Sequence, residues 1–187
     1  MFVGLGKTLL SYSDVIPGGI VLFFSSYACM RECINFWLLH RVEGEDLIYG
    51  NLYELINNIK PIFIEPDNAT DVVGIFNDYA NTIKIKNNAL MMAVCRARLS
   101  EGIDFADELA RSVILVSVPN LNKRDIEIQI KIEYVNKMKL GDWFNNQTIG
   151  AMNQAAGRII RHSKDYGALI LIDERFSTTH PLVGNLS

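Results

Sequence analysis

The chain has 187 residues, of which 49% are hydrophobic and 21% are charged. This length and composition predict one folded domain over residues 1–187 and exclude an intrinsically disordered chain. The formal net charge of −3 excludes a surface that is basic throughout, so any contact with nucleic acid must be local.

The apolar runs and the cysteines indicate which cellular compartment the chain occupies. Polar or glycine residues interrupt every apolar run before the roughly 20 residues that a bilayer crossing needs, so we expect no membrane association. Cys29, Cys33 and Cys95 are an odd set without zinc-finger spacing, which favours a reducing compartment inside the cell. For Cys29 and Cys33, four residues apart, we expect core packing rather than a shared metal ion.

Residues 4–8 read GLGKT and resemble the end of a phosphate-binding P-loop. A P-loop follows a buried strand, and the residues before Gly4 leave no room for one. We therefore expect a helix that leads into the first strand. A stand-alone P-loop NTPase ranks last among the candidate functions.

Strand-length apolar runs alternate with segments of helical period along the chain, which predicts an α/β fold with a mostly parallel sheet covered on both faces. The predicted strands are residues 20–25, 62–65, 89–94, 113–118 and 168–172. The predicted helices are residues 27–40, 52–59, 71–83, 125–138 and 148–162. Asp71 and Asp125 stand at N-cap positions. We expect a surface loop at residues 42–46 and an irregular tail at residues 174–187.

A charged loop, residues 95–105 (CRARLSEGIDF), follows the third predicted strand. In open α/β sheets, ligands bind beyond the carboxyl ends of the strands, and glycine lets a phosphate approach the backbone closely. Two readings remain open from these residues alone, a phosphate-binding loop and a solvated loop with a surface arginine pair.

The last predicted helix carries Gln154, Gly157, Arg158 and Arg161. Side chains three residues apart share a helix face, so Arg158 and Arg161 are expected to point the same way. A glycine inside a helix costs about 1 kcal/mol relative to alanine, and close approach of a ligand is one reason to keep it. Paired guanidinium groups suit a triphosphate, and a surface ion-pair helix is the alternative.

Together these segments resemble motifs of the XPD-type iron-sulfur helicases, a branch of superfamily 2. Residues 154–161 (QAAGRIIR) resemble motif VI, residues 100–105 (SEGIDF) motif V, and residues 17–27 (PGGIVLFFSSY) motif IV. The sequence DYG at 165–167 follows motif VI as it does in that branch. Further segments are most similar to FANCJ and the telomere-elongation-regulator helicases: PNL at 119–121, WF at 143–144 and DERF at 173–176.

The chain departs from this family at Ala97. The family usually has Arg-Gly-Lys where this chain has Arg96-Ala97-Arg98. Because alanine disfavours positive φ, we expect the DNA-contacting loop to be slightly altered here.

The resemblance implies a RecA-like three-layer αβα domain, the C-terminal motor half of an ATP-dependent 5′ to 3′ DNA helicase. It implies that Arg158 and Arg161 are arginine fingers. The residues implied at the nucleotide are Gln154, Gly157, Gly102 and Asp104. The residues implied at the DNA backbone are Ser25, Tyr27, Arg98 and Ser100. No metal ligand is expected in this chain.

The resemblance also implies partners that this chain lacks. ATP with Mg would be shared with a first RecA-like domain, in cis or in trans, which carries the Walker motifs and the iron-sulfur cluster. The substrate would be single-stranded or forked DNA, and the location the nucleus. An alternative from another class is a noncatalytic nucleic-acid-binding or interaction module derived from a truncated helicase. From the residues themselves, we expect His162 to cap its helix and Trp143 with Phe144 to anchor the last helix.

Overall fold

The structure, a computed structural model, describes residues 1–43, 48–68, 71–160 and 162–176. The helices are α1 (Phe2–Ser13), α2 (Tyr27–Leu39), α3 (Leu52–Ile59), α4 (Val72–Lys86), α5 (Arg98–Gly102), α6 (Ile126–Met138) and α7 (Trp143–Ala156). The strands are β1 (Gly18–Phe24), β2 (Arg41–Glu43), β3 (Ile48–Asn51), β4 (Ile62–Ile64), β5 (Asn88–Val94), β6 (Ser112–Val116) and β7 (Ala168–Ile172). Single 3₁₀ turns lie at Asp107–Ala110 and Glu174–Phe176.

The central sheet contains the five predicted strands, all parallel, in the order β4-β5-β1-β6-β7. β1 lies at the centre and pairs with β5 from Gly18–Asn88 to Phe24–Val94. Parallel neighbours require crossover connections, and the helices between the strands supply them. The predicted α/β class with a mostly parallel sheet is confirmed.

The sheet is buried on both faces because successive side chains of a strand point to opposite sides. On one face, Val21 and Phe23 pack with side chains of α4 and α7. On the other face, Ile20, Leu22 and Phe24 pack with side chains of α1, α2 and α3. This arrangement gives the three layers expected from the sequence. Cys33 lies in the second core, as predicted, and is fully buried.

α1 replaces the candidate P-loop at the start of the chain. Residues 4–8 lie within this helix, with Leu5 and Gly6 buried and Lys7 exposed on its surface. Gly6 is needed for packing, because a Cβ there would strike the side chain of Leu52. The expectation of a helix rather than a phosphate-binding loop is confirmed.

An antiparallel strand pair, β2 and β3, flanks the surface loop that the sequence predicted at residues 42–46. Residues 42 and 43 belong to β2, which corrects the start of that prediction. Residues 44–47 lie outside the described residues. The pattern was missed because strands this short carry little periodicity.

Several boundaries also differ from the predictions. β1, β4 and β6 end at Phe24, Ile64 and Val116, one or two residues earlier than expected. α4 continues to Lys86 and ends at Asn87 in the left-handed conformation. Asp125 accepts a hydrogen bond from the backbone N–H of Glu127, so its predicted capping role is confirmed. Asp71 occupies the N-cap position without a side-chain capping bond.

Lys60 is buried at the amino-terminal edge of the sheet, opposite the loops that follow the carboxyl ends of the strands. Its Nζ donates to the carbonyl oxygens of Ile16 at 3.2 Å and Gly18 at 3.0 Å, and to the side-chain oxygen of Asn88. Burial lowers the pKa of this amine to about 8. The lysine ties the starts of β1 and β5 to the end of α3.

Candidate nucleotide and nucleic-acid interface

The candidate site lies at the carboxyl edge of the sheet. The segments that follow β1, β4, β5 and β6 all emerge at this edge, because the strands are parallel. This edge is where open α/β sheets bind ligands. The structure therefore brings together segments that the sequence keeps far apart.

The motif IV segment turns directly from β1 into α2. Ser26 caps α2 by accepting a hydrogen bond from the backbone N–H of Cys29 at 3.2 Å. Ser25 is half-buried. Tyr27 is the first residue of α2 and is half-buried. Both predicted DNA contacts of this segment, Ser25 and Tyr27, thus lie at the carboxyl edge.

Tyr27 lies where the motif IV segment approaches the motif V loop. Desolvation raises the pKa of Tyr27, the carboxylate of Glu65 raises it further, and the guanidinium of Arg98 opposes them. The three side chains therefore lie within electrostatic reach of one another.

Arg96 braces the motif V loop. Its Nη1 donates to the carbonyl oxygen of Pro119 at 2.7 Å and its Nη2 to the carbonyl oxygen of Gln147 at 2.7 Å. Arg96 thereby joins this loop to the segment after β6 and to α7. The positive φ of the loop belongs to Arg96, at 62°, whereas Ala97 has a φ of −92°. Alanine adopts this backbone without strain, and the expected alteration of the loop relative to the family stays a prediction.

α5 carries the remaining predicted residues of motif V. Arg98 is exposed at its start. Ser100 is 1% exposed, and its hydroxyl donates to the carbonyl oxygen of Ala97 at 2.8 Å, which places it inside the loop rather than on the surface. Gly102 is exposed, and a Cβ there would meet no atom within 4 Å. The chain itself gives no steric reason for that glycine.

The motif VI segment differs from the prediction. α7 ends at Ala156, and Gly157 is its C-cap, so the predicted helix over residues 148–162 is wrong at both ends. Gly157 therefore does not interrupt a helix, and the argument that Arg158 and Arg161 share one helix face does not hold. Gln154 is exposed in the last turn of α7. Arg161 lies outside the described residues.

Arg158 connects motif VI to motif V. Its Nη1 donates to the carbonyl oxygen of Ile103 at 2.9 Å, although 55 residues separate the two along the chain. Ile103 lies between Gly102 and Asp104, both of them exposed. The predicted nucleotide-facing residues of motif V and the candidate finger of motif VI thus lie close to one another.

The segment after motif VI is held by contacts with Arg111 and Asp107. Arg111 pairs with Asp165 at 2.7 Å and lies 4.2 Å from the centre of the Tyr166 ring. His162 pairs with Asp107 at 3.0 Å. Because α7 ends at Ala156, the prediction that His162 caps this helix is wrong.

Asp107, His162 and Asp165 are the described side chains that lie close enough to share a metal ion, with ligand atoms within 4.8 Å of one another. Arg111 already neutralises Asp165, which opposes a second cation there. Of the aromatic pair at the start of α7, Phe144 contacts Lys123, whose Nζ lies 4.5 Å from the centre of the Phe144 ring.

Sequence reasoning missed Glu65, which follows β4. It is 1% exposed, and its carboxylate accepts hydrogen bonds from the backbone N–H groups of Val94 and Leu99. Burial raises its pKa, and those hydrogen bonds and Arg98 lower it. No local pattern reveals this residue, since its partners are 29 and 34 residues away.

Comparison with known proteins identifies the family. The helicase C-terminal domain family matches residues 9–184. The chain belongs to this family. It is 35% identical over 180 residues to a regulator of telomere elongation helicase 1 homolog of Drosophila grimshawi, covering 92% of this chain and 17% of the fly protein. The Drosophila melanogaster homolog is 34% identical over the same length.

Solved structures show the same fold. An XPD helicase matches all of this chain over 30% of its own length, with a TM-score of 0.69 and 20% identity. The S. tokodaii Xpd4 structure matches 93% of this chain, with a TM-score of 0.58 and 18% identity. The chain thus shares the RecA-like fold of these helicase structures, and its sequence is similar to those of the telomere-elongation-regulator helicases. It spans 17% of the length of the fly relatives. Among the described helices, none has the length and apolar character to cross a membrane.

Proposed function

We propose that this chain is the C-terminal motor half of an ATP-dependent 5′ to 3′ DNA helicase. In this proposal, Arg158 and Arg161 are arginine fingers for ATP held by a first RecA-like domain. The hydrogen bond from Arg158 to Ile103 carries the proposal, because it fixes the guanidinium beside the motif V residues at the same edge. A finger delivered across a domain interface makes hydrolysis depend on domain closure.

On the nucleotide side, the proposed contacts are Gln154, Gly157, Gly102 and Asp104. All four are exposed, which a partner domain requires if it is to reach them. Gly102 has open space where a Cβ would stand, so a phosphate or ribose can approach its backbone. Arg158, next to Gly157, supplies a permanent positive charge that can stabilise the negative charge developing as the phosphoryl group departs.

On the DNA side, the proposed contacts are Ser25, Tyr27 and Arg98. They surround the turn from β1 into α2 and the start of α5. Ser100 supports the same loop from within, through its hydrogen bond to Ala97. Single-stranded or forked DNA is the proposed substrate, because a local cation beside an aromatic side chain suits an exposed backbone and base.

The proposed cofactor is ATP with Mg, held mainly by the first motor domain in cis or in trans. That domain carries the Walker motifs and the iron-sulfur cluster in this proposal. The proposed location is the nucleus. Movement follows when closure around ATP and reopening after hydrolysis shift the DNA-gripping loops of the two domains relative to one another.

A second candidate is a noncatalytic nucleic-acid-binding or interaction module derived from a truncated helicase. The link between Arg158 and Ile103 favours the motor, because a module that only binds DNA has no use for a motif VI arginine held at the nucleotide edge.

The purified chain tests the division of labour between the two domains. We expect no DNA-stimulated ATP hydrolysis and only weak, salt-sensitive binding to single-stranded DNA, since the phosphate-binding half is absent. Turnover by the chain alone that disappears in Lys7→Ala would contradict the proposal, because Lys7 belongs to the discarded P-loop. An added first motor domain should restore turnover.

A further inference from the structure

Glu65 ends the β4 segment with a carboxylate that faces the motif V loop. One oxygen, Oε2, accepts from the backbone N–H of Val94 at 2.8 Å, and the other, Oε1, accepts from that of Leu99 at 2.9 Å. The side chain is 1% exposed. A buried carboxylate that accepts two backbone hydrogen bonds is satisfied, whereas removal of the carboxylate leaves two buried donors unpaired.

The hydrogen bond to Leu99 replaces a cap that α5 lacks. Ala97 occupies the N-cap position of α5 and has no side chain that can accept from the first turn. The N–H groups of a first helical turn need an acceptor, and an oxygen near them also interacts favourably with the helix dipole. Glu65, from a different strand, supplies that acceptor.

The second hydrogen bond fixes where the loop begins. Val94 is the last residue of β5, so Glu65 holds both the start of the loop and the first turn of α5. Arg98 stands at the first helical position, directly before Leu99. We propose that Glu65 is a positioning residue that fixes the motif V loop and thereby presents Arg98 to the DNA backbone. This inference rests on the proposed function of Arg98.

If Glu65 positions the loop, replacing it weakens DNA binding. If Glu65 acts only through its charge, replacing it strengthens DNA binding. Removing a negative charge beside a DNA-binding surface strengthens DNA binding by simple electrostatics. Loss of a positioning residue weakens it, because Arg98 then has to be ordered at the moment of binding. Glu65→Gln keeps the size of the side chain but turns an NH₂ group toward one of the two backbone donors. Glu32→Gln, on the exposed surface of α2, removes the same charge and is the matched control.

Hydrogen exchange of the loop tests the proposal without DNA. In Glu65→Gln, we expect the amides of residues 94–102 to lose protection about five- to tenfold, as for loss of a helix cap, while those of β1 and β6 keep theirs. A second substitution, Ala97→Ser, supplies a local cap and should restore part of the protection. Unchanged exchange in the loop of Glu65→Gln would overturn the proposal. If Glu65→Gln does not fold, Glu65→Asp keeps the charge on a side chain too short to reach both N–H groups; it should show the same loss of loop protection, and unchanged exchange there would overturn the proposal.

Binding of fluorescent single-stranded DNA, followed by anisotropy, completes the test. We expect Glu65→Gln to bind severalfold more weakly than the unchanged chain, and Glu32→Gln to bind equally or more tightly. Tighter binding by Glu65→Gln would show a charge effect and overturn the proposal. The Arg98→Ala variant separates the DNA contact of Arg98 from the ordering of the loop by Glu65. If Arg98→Ala binds DNA as well as the unchanged chain, the proposed DNA contact of Arg98 fails. Hydrogen exchange of the loop then tests the ordering role of Glu65 by itself.

Discussion

The guanidinium of Arg111 lies 2.7 Å from the carboxylate of Asp165, and both side chains are nearly inaccessible to solvent. Arg111 also donates to the carbonyl oxygen of Tyr166 at 3.0 Å. This pair fastens the segment after motif VI to the start of β6. The pair therefore helps to keep motif VI in position, because the segment that it fastens follows motif VI directly in the chain.

Breaking this pair should destabilise the fold strongly. Arg111→Met leaves the carboxylate of Asp165 buried without its cation, which costs about 3–5 kcal/mol of the free energy of unfolding. Arg31→Ala is the control, because Arg31 pairs with Asp67 on the exposed surface and should cost about 0–1 kcal/mol. Urea denaturation measures both. Equal losses for the two variants would contradict this assignment.

The sequence predicted the sheet well because its strands are uniform apolar runs. β1, β5 and β6 are nearly solid hydrophobic segments, and none of the helices among the described residues has that pattern. Motif residues were also placed at the correct edge, since parallel strands bring their carboxyl ends together. The class of fold and the neighbourhood of the site were therefore readable from residue order alone.

The end of α7 was not readable in the same way. The sequence QAAGRIIR contains mostly good helix formers, so local propensity favours continuation past Gly157. In the structure, Arg158 and Ile159 instead bond to the carbonyls of Ala155 and Ala156, and Ile159 is buried beside Gly167. Packing against a distant segment overrides propensity here. The contacts of Glu65 and Arg96 were missed for the same reason.

Arg96 combines a strained backbone with a bracing side chain. Its φ of 62° lies in the left-handed region, which costs about 1–2 kcal/mol for a residue with a Cβ. Both Arg96→Ala and Arg96→Gly lose the hydrogen bonds to Pro119 and Gln147, but only glycine relieves the backbone strain. We expect Arg96→Gly to be more stable than Arg96→Ala by about 1 kcal/mol in urea denaturation. The reverse order would show that the left-handed backbone carries no strain.

Two glycines of the helicase motifs should respond differently to alanine. A Cβ at Gly19 would strike the carbonyl oxygen of Leu109 and the hydroxyl of Tyr79, so Gly19→Ala should cost about 1–3 kcal/mol of stability. A Cβ at Gly157 would come no closer than 3.2 Å, to the carbonyl oxygen of Asn153. Gly157→Ala should therefore lie within about 0.5 kcal/mol of the unchanged chain. Thermal denaturation compares them, and a large loss for Gly157→Ala would contradict an open nucleotide face there.

Lys60 should make stability depend on alkaline pH. Its pKa is about 8 in the folded chain, below the usual value near 10.4 for an unfolded chain. Between these values the unfolded chain binds more protons, so the contribution of Lys60 to the free energy of unfolding rises with pH and levels off above about 10.4. Below pH 8 the penalty for the buried charge is present in full.

Denaturation of Lys60→Met across pH 7–10.5 checks this prediction. The stability of the unchanged chain relative to Lys60→Met should increase from pH 8 upward. This difference removes the effect of the buried tyrosines and cysteines, which titrate in both proteins. Lys7→Met, at an exposed position of α1, is measured alongside as a matched substitution. A flat difference for Lys60→Met would contradict the lowered pKa.

ATP turnover by a complete motor tests the role of Arg158 most directly. Residues 9–184 of this chain can replace the matching domain of the Drosophila melanogaster homolog, so that ATP has both of its proposed domains. Arg158→Ala should lower DNA-stimulated kcat by about 10³-fold or more, with little change in DNA affinity, whereas Arg41→Ala in β2 should leave kcat unaffected. A kcat for Arg158→Ala within about threefold of the unchanged motor would contradict the arginine-finger role that the whole account rests on.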